Sequence, residues 1–250
     1  MAIGLYTKFY ALPRKTYGFD FEQWYEDGYW QERFVPYSLL DADTVVSNVS
    51  VNILDFLVLG QRKRYIQLGT VMTDRAYRGQ GLNRALMEKV LSDWQGRCDL
   101  IYLFANDSVL DYYPKFGFTR AEEYQCTGFV TAKAQHCACR KLDMSDENDK
   151  SLLYRAASQT KCFSKISMLD NVPLIMFYAT SFKKDNVYYI DKYDAAAIAQ
   201  YEGDTLFLQD VFCPVQIPVD RIIEALLNKQ TCRVVLGFTP LNDSPFEFSP

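Results

Sequence analysis

The chain has 250 residues, of which 49% are hydrophobic and 23% charged, and its formal net charge is −4. This composition is typical of a folded globular protein and excludes the disordered and fibrous classes. No stretch approaches the roughly 20 apolar residues of a membrane span, and the first residues do not resemble a secretion signal. The acidic balance without a basic run argues against a nucleic-acid partner. We therefore expect a cytoplasmic protein with no nucleic-acid and no membrane partner, whose seven cysteines are reduced.

Aromatic residues are concentrated between Tyr17 and Tyr37. Within this segment, DFEQWYEDG predicts a short helix that Asp20 caps and Gly28 ends. Two interpretations of the rings stay open. They are core and surface cover, or some of them line a pocket for a small molecule.

The segment 43–60 is rich in β-branched residues and predicts a strand, and 65–73 predicts a second strand antiparallel to it. A helix is predicted from about Leu82 to Trp94. Residues 99–106 predict a short buried strand, and 107–118 a short helix that Pro114 breaks. The predicted apolar stripe of the long helix consists of Leu82, Ala85, Leu86, Val90 and Trp94.

The second half of the chain is predicted to form a separate domain. A polar, charged stretch at 141–151 is typical of a linker, so we expect domains at 1–140 and 145–250. Beyond it, the strands NVYYI, AAAIAQYEG and DTLFLQDVFC precede a helix at VDRIIEALLNK and a last strand at CRVVLGF. This order repeats that of the first half, but PVQIP, without a glycine, precedes the helix.

The stretch RAYRGQGLNRALM, residues 75–87, places two glycines before a helix. A helix N-terminus exposes unpaired N–H groups and carries about half a positive charge, so it attracts phosphate. Glycine has no Cβ and lets an anion approach the backbone. The P-loop motif does not match. The dinucleotide fingerprint has Arg84 where a glycine or alanine is required, which disfavours a dinucleotide-dependent oxidoreductase.

Two pieces of the sequence resemble the GCN5-related N-acetyltransferase (GNAT) superfamily. The loop Arg78 to Asn83 resembles that family's pyrophosphate loop, [QR]-x-x-G-x-[GA], although Asn83 stands where glycine or alanine is usual. Further on, NDSVLDYYPKFGF resembles the signature N-x-x-A-x-x-F-Y-x-K-x-G-F, with Val109 in the alanine place. The resemblance covers roughly residues 1–140 and is firmest at 65–120.

The resemblance implies an α/β (α+β) fold with a mixed, mostly antiparallel sheet flanked by helices. The second, smaller α+β domain would be a degenerate copy of the same fold, although other α+β folds also fit. The implied activity is transfer of an acetyl group from acetyl-coenzyme A, as co-substrate, to a primary amine by direct attack in a ternary complex. The alternative is a catalytically inert module that binds coenzyme A. The acceptor would be a small-molecule or protein amine, and the second domain would close its pocket or form a homodimer interface.

The resemblance also implies roles for individual residues. The strands before and after the loop would splay apart, which leaves main-chain groups of Val71 and Thr73 for the pantetheine arm. Asn106 would hydrogen-bond near that arm, and Tyr113 would protonate the departing thiolate, while Tyr112 packs inward. A phenol with a pKa near 10 is protonated at neutral pH and can serve this role. The pyrophosphate would be held by the backbone N–H groups of Arg78, Gly79, Gln80, Gly81, Leu82 and Asn83.

No general base and no metal site are predicted. Freeing an amine of pKa near 10.4 at pH 7 costs about 4–5 kcal/mol, yet the matching strand offers Gln67 rather than a carboxylate. Asp55 and Asp74 are predicted as turn or surface residues. The sequence HCAC, from His136 to Cys139, lacks a fourth ligand at the spacing of a zinc site, so we expect no bound metal.

Overall fold

The computed structural model describes residues 8–130 and 139–250. The described residues form two compact units. The first comprises those within Met1–Phe56 and Arg62–Arg120, and the second those within Leu57–Gln61 and Ala121–Pro250. No helix within these described ranges is long and apolar enough to cross a membrane.

The first unit carries a sheet in the order β1-β2-β3-β4. Strand β1 runs antiparallel to β2, and β3 runs parallel to β4. Pro36 lies in the edge strand β1, where its missing N–H costs the sheet least. The elements in chain order are α1 (Ala11–Tyr17), α2 (Glu22–Glu26), β1 (Phe34–Asp41), β2 (Thr44–Val58), β3 (Gln61–Thr73), α3 (Leu82–Trp94) and β4 (Leu100–Tyr102).

Helix α3 packs on this sheet through an apolar stripe that differs from the predicted one. Leu86, Met87 and Val90 are buried, whereas Ala85 is exposed. The helix is therefore rotated, so that Met87 rather than Ala85 faces the core that it shares with Val49, Val51, Ile66 and Leu68. The predicted bounds of the helix are confirmed.

The segment after α3 is less regular than predicted. Strand β4 covers only Leu100–Tyr102 and Phe104 is 68% exposed, so the prediction of a buried strand over 99–106 is wrong. The strand is short because it pairs with β3 over three residues only. Two 3-10 turns, Asp107–Val109 and Tyr113–Phe116, replace the predicted helix over 107–118. Pro114 cannot donate a helical hydrogen bond, and it lies at the start of the second turn.

The aromatic segment near the N-terminus contributes three buried rings to the core, and whether its other rings line a pocket stays a prediction. Phe21 and Phe34 are buried, with ring centroids 5.1 Å apart, and Trp24 is buried beside them. The predicted helix is present but short, Glu22–Glu26. An Asp20 carboxylate oxygen accepts from the N–H of Glu22 at 2.9 Å.

The second unit contains a seven-stranded sheet in the order β12-β5-β11-β10-β9-β8-β6. Only β10 and β11 run parallel, and the other pairs are antiparallel. The elements in chain order are β5 (Gln125–Phe129), β6 (Cys139–Lys141), α4 (Glu147–Ser158), β7 (Ile166–Leu169), α5 (Val172–Thr180), β8 (Val187–Ile190), β9 (Ala195–Glu202), β10 (Thr205–Phe212), α6 (Val219–Leu226), β11 (Arg233–Leu236) and β12 (Glu247–Ser249).

The predicted linker at 141–151 is wrong, because its charged residues build the start of α4. Asp146 is the N-cap and accepts from the N–H groups of Asn148 and Asp149 at 2.9 and 3.0 Å. The Asp149 carboxylate in turn accepts from the Arg140 guanidinium at 2.7 Å. The charge run is therefore a capped helix terminus tied to β6.

The mixed sheets with flanking helices confirm the predicted fold class. That the second unit is a degenerate copy of the first stays a prediction. The two units share one connection, in which a helix joins two parallel strands: β3-α3-β4 in the first and β10-α6-β11 in the second. They differ at the helix start, which is Gly81 in the first unit and Pro218 in the second.

Candidate active site

The loop between β3 and α3 has the backbone geometry that its two glycines allow. Gly79 and Gly81 have φ of 79° and 77°, in the left-handed region that favours glycine. A Cβ at either position would meet no atom within 4 Å. The glycines are therefore required for backbone conformation rather than to make room for neighbouring protein atoms.

The loop presents a row of free donors. In the described part of the chain, the backbone N–H groups of Gly79 to Asn83 have no hydrogen-bond acceptor. Gly81, the N-cap of α3, has no side chain that could cap them. The loop is exposed, and two exposed arginines, Arg75 and Arg78, immediately precede it in the chain. Free N–H groups at a helix N-terminus with cationic neighbours suit a phosphate or pyrophosphate.

Asp74 holds the start of this loop. Its carboxylate accepts from the N–H of Ala76 at 3.1 Å and pairs with Lys15 at 2.6 Å. The hydrogen bond from Lys15 lowers the pKa of Asp74. The carboxylate is therefore ionised and occupied, as expected of a turn residue.

Asn83 directs its side chain away from the loop. Its amide nitrogen donates to the main-chain oxygen of Asn48 at 3.3 Å, and its amide oxygen accepts from the Tyr112 hydroxyl at 2.8 Å. Although Asn83 stands where glycine or alanine is usual, its side chain does not occupy the main-chain N–H, which has no acceptor among the described residues. The side chain adds an internal link between α3, β2 and the 3-10 turns.

Pairing between the strands on either side of the loop ends before the loop begins. Pairing between β3 and β4 ends at Gln67 and Tyr102, although β3 continues to Thr73. Beyond that point the Val71 carbonyl accepts from the Tyr17 hydroxyl at 2.9 Å, and the Thr73 carbonyl from Arg78 Nε at 3.3 Å. The main chain proposed for the pantetheine arm therefore lies at an open edge, where side chains now hold its carbonyls.

Tyr113 lies inside the first unit. It is 9% exposed and packs in the core that α3 forms with the sheet, its ring centroid 6.0 Å from that of Phe118. Burial, with smaller contributions from the neighbouring Tyr17 and Tyr112, raises the pKa of Tyr113 to about 12. The phenol is therefore protonated at neutral pH.

Tyr112 and Tyr113 both pack in the core of the first unit. Tyr112, which was expected to pack inward, is half-buried against that core, and its hydroxyl donates to Asn83. Tyr113 is the buried ring of the pair. Both residues stand where two 3-10 turns meet, and no helical or strand period is available there to assign their directions from sequence.

Asn106 lies after β4, on the side where the strands separate. It is exposed, and its carbonyl accepts from the N–H of Val109 at 3.0 Å in the first 3-10 turn. Among the described residues, its side-chain amide has no hydrogen-bond partner. The amide is thus free to bind a ligand.

The two carboxylates that were considered as a general base, Asp55 and Asp74, are both paired with cations. Asp55 was predicted as a turn or surface residue but is 5% exposed, because Arg64 and Arg33 pair with it at 2.9 and 3.4 Å. The hydrogen bond from Arg64 lowers the pKa of Asp55 despite burial. Gln67, half-buried on β3, has no acidic group. We therefore assign no general base.

No metal centre is formed by the described residues. They contain no group of three His, Cys, Asp or Glu side chains that could hold an ion. Of the HCAC sequence, His136 and Cys137 lie outside the described residues, and Cys139 is in β6.

Sequence reasoning missed a buried polar cluster in β2 and β3. Ser47, Asn48 and Ser50 are fully buried, and they bond to Thr70 and Thr73 of β3. The signal was present in VVSNVSV, where three polar residues interrupt an apolar strand. It also missed the contact of Tyr17 with Val71, since a tyrosine at the end of a helix carries no distinguishing pattern.

Comparisons with known proteins agree with this fold. The family model described as "Acetyltransferase (GNAT) domain" matches residues 5–121. A probable N-acyltransferase of unknown function from Enterococcus faecalis superposes with a TM-score of 0.65 at 15% identity, over 100% of this chain and 68% of that protein.

Two further structures share the fold. A GCN5-related N-acetyltransferase from Kribbella flavida has a TM-score of 0.56 at 15% identity, over 96% of this chain. Eis1 from Mycobacterium abscessus has a TM-score of 0.53 at 14% identity, over 88% of this chain. The chain spans only 64% and 63% of the lengths of these two proteins.

Proposed function

We propose that this protein transfers an acetyl group from acetyl-coenzyme A to a primary amine, since the family model for the GNAT acetyltransferase domain matches residues 5–121. The observation that carries the proposal is the row of unpaired N–H groups from Gly79 to Asn83, next to the open edge of β3. A pyrophosphate and an extended arm need these two features side by side. The acceptor is a small-molecule or protein amine.

The reaction needs little covalent chemistry from the protein. Acetyl-coenzyme A supplies an activated thioester, whose carbonyl carbon the amine attacks directly. A C–N bond forms, the C–S bond breaks, and the amine loses a proton while the sulfur gains one. Binding both reactants in one geometry removes much of the entropic barrier. The loop from Arg78 to Asn83 would hold the pyrophosphate, and Val71, Thr73 and Asn106 would orient the arm.

Tyr113 is the proposed donor of the proton to sulfur. Its phenol is protonated at neutral pH because burial holds its pKa at about 12. A pKa so far above the 8.5 of a thiol makes the transfer unfavourable in the ground state. The proton would therefore move as the C–S bond breaks, when the negative charge on sulfur draws it.

A catalytically inert module that binds coenzyme A is the second candidate. It is favoured by one observation, namely that Asp74, the carboxylate at the start of the loop, is paired with Lys15. Such a module would bind coenzyme A through the same loop. It would not release free thiol in the presence of any amine.

Calorimetric titration with acetyl-coenzyme A tests the loop. Gly81→Ala places a Cβ on a left-handed residue in the proposed phosphate site, and Gly203→Ala does the same in a turn of the second unit. We expect micromolar binding by the wild type and by G203A, and at least about tenfold weaker binding by G81A. Absence of wild-type binding would refute the proposal.

Turnover separates the two candidates. We would follow release of the coenzyme A thiol with a panel of polyamines, aminoglycosides and lysine-containing peptides. Steady amine-dependent release identifies the enzyme, while binding without release identifies the inert module.

A further inference from the structure

One fully buried asparagine connects three elements of the first unit. Asn48 is in β2 and 0% exposed. Its side-chain oxygen accepts from the Ser38 hydroxyl of β1 at 2.8 Å, and its side-chain nitrogen donates to the Thr70 carbonyl of β3 at 3.0 Å. Its main-chain oxygen accepts from Asn83 of α3 at 3.3 Å. A buried polar side chain with every group bonded fixes a unique arrangement.

Thr70 has a backbone conformation that its side chain disfavours. Its φ is 42°, in the left-handed region, and a β-branched residue rarely adopts such a value. Such strain persists only where the surroundings impose it. Here two contacts do so: the Asn48 amide holds the Thr70 carbonyl, and the Thr70 hydroxyl donates to Ser50 Oγ at 2.5 Å.

The left-handed residue directly precedes the open edge of β3. Val71 follows it, and the Val71 carbonyl points to the Tyr17 hydroxyl instead of to a neighbouring strand. A change of φ at Thr70 would rotate the following main chain. The direction of the Val71 N–H and C=O groups therefore depends on the conformation that Asn48 stabilises.

We propose that Asn48 is a positioning residue for acyl transfer, which acts by holding Thr70 in the left-handed conformation. It thereby orients the Val71 main chain at the acyl end of the coenzyme A site. This inference rests on the proposed function. Because Asn48 is fully buried, it would touch neither reactant.

A rescue experiment tests this mechanism. Asn48→Ala removes the amide but keeps the main-chain oxygen that Asn83 contacts. We expect N48A to lower kcat by about 10–100-fold, and to change the dissociation constant of coenzyme A less than about threefold, because the loop is intact. Glycine adopts positive φ without help. In the N48A/T70G double variant, kcat should therefore return to within about threefold of T70G alone.

A matched control uses another left-handed residue of the first unit. Ala42 has φ of 48° in the turn between β1 and β2, where Asp41 of β1 pairs with Thr44 of β2. N48A/A42G should likewise remove the strain of a left-handed residue, but its kcat should remain as low as that of N48A. Failure of T70G to rescue N48A, or equal rescue by A42G, would overturn the proposal.

A second readout does not depend on turnover. The amide chemical shifts of Val71 and Met72 should move in N48A, while N48A/T70G should match T70G. These shifts test the positioning role even if the wild type transfers no acetyl group, which would refute the proposed function alone. Unchanged shifts in N48A would refute the positioning role alone.

Discussion

The hydroxyl of Tyr17 donates a 2.9 Å hydrogen bond to the main-chain carbonyl of Val71. Tyr17 is the last residue of α1 and is 41% exposed, and burial of its ring raises the pKa of the phenol. The bond joins α1 to the open edge of β3. It also occupies a carbonyl that we assign to the pantetheine arm.

Tyr17→Phe should free this carbonyl. A hydrogen bond of this type is worth about 1 kcal/mol, so coenzyme A should bind about threefold to tenfold more tightly by calorimetry. Tyr77→Phe is the control, because its hydroxyl donates to Asp41 at 2.6 Å in the same unit. Weaker binding by Y17F alone would mean that the Tyr17 hydroxyl orients the arm instead of competing with it.

Tyr113→Phe should lower kcat by about 10–100-fold, the range typical of a lost general acid. The affinity for coenzyme A should stay within about threefold of wild type. Because the pKa of Tyr113 is raised to about 12, the phenol stays protonated up to about pH 10–11. Steady-state kcat measured up to pH 10 should therefore show no decrease caused by deprotonation of Tyr113.

Tyr112→Phe serves as the control for that measurement, since Tyr112 donates to Asn83 and lies beside Tyr113. It should keep most of the activity. If Y112F loses as much activity as Y113F, the two hydroxyls act through packing of the turn, and the acid role of Tyr113 is wrong.

The regular elements could be predicted because their patterns are local. The helix over Leu82–Trp94, and β8, β9, β10 and β11 with α6 in the second unit, follow from periodicity and turn residues. The rotation of α3 toward Met87 could not be predicted, since a methionine and an alanine one or two positions apart fit the stripe equally well. The same limit explains the linker error at 141–151, where charge alone did not reveal a cap.

The candidate site was predictable only where the residue type itself indicates the backbone conformation. Gly79 and Gly81 signal left-handed backbone in sequence, and both have it. Thr70 is equally left-handed, but a threonine gives no such signal, because tertiary contacts from Asn48 and Ser50 impose the conformation. Likewise, the contact of Tyr17 with Val71 joins residues far apart in the chain and has no local pattern.

Asn83→Ala tests whether this residue binds phosphate through its main chain. The variant keeps the N–H but leaves the Asn48 carbonyl and the Tyr112 hydroxyl without their partner. Chemical denaturation should show a loss of about 1–3 kcal/mol of stability, while the affinity for coenzyme A falls less than about threefold. A loss of affinity as large as that of G81A would mean that the side chain itself holds the ligand in place.

We expect Asp210 to make the stability of the second unit depend on pH. It lies in β10 at a register shift against β9, is half-buried, and accepts from the N–H of Val211 at 2.8 Å. Among the described residues, no cation pairs with it. Burial raises the pKa of Asp210 from 3.8 to about 6. The folded state therefore binds the proton more tightly than the unfolded state does, so this contribution to stability is complete below about pH 4 and is lost as the pH rises through 6.

Asp210→Asn removes the charge and should reverse that loss. The variant should be more stable than wild type by about 1–3 kcal/mol above pH 7, and the difference should shrink toward zero near pH 4. Urea denaturation followed by circular dichroism between pH 4 and 8 measures it. Asp220→Asn, at the exposed start of α6, should give no difference that grows over this range. If the difference in unfolding free energy between D210N and the wild type were the same at every pH, Asp210 would not titrate near pH 6. The carboxylate would then be stabilised by something other than its single hydrogen bond from the backbone.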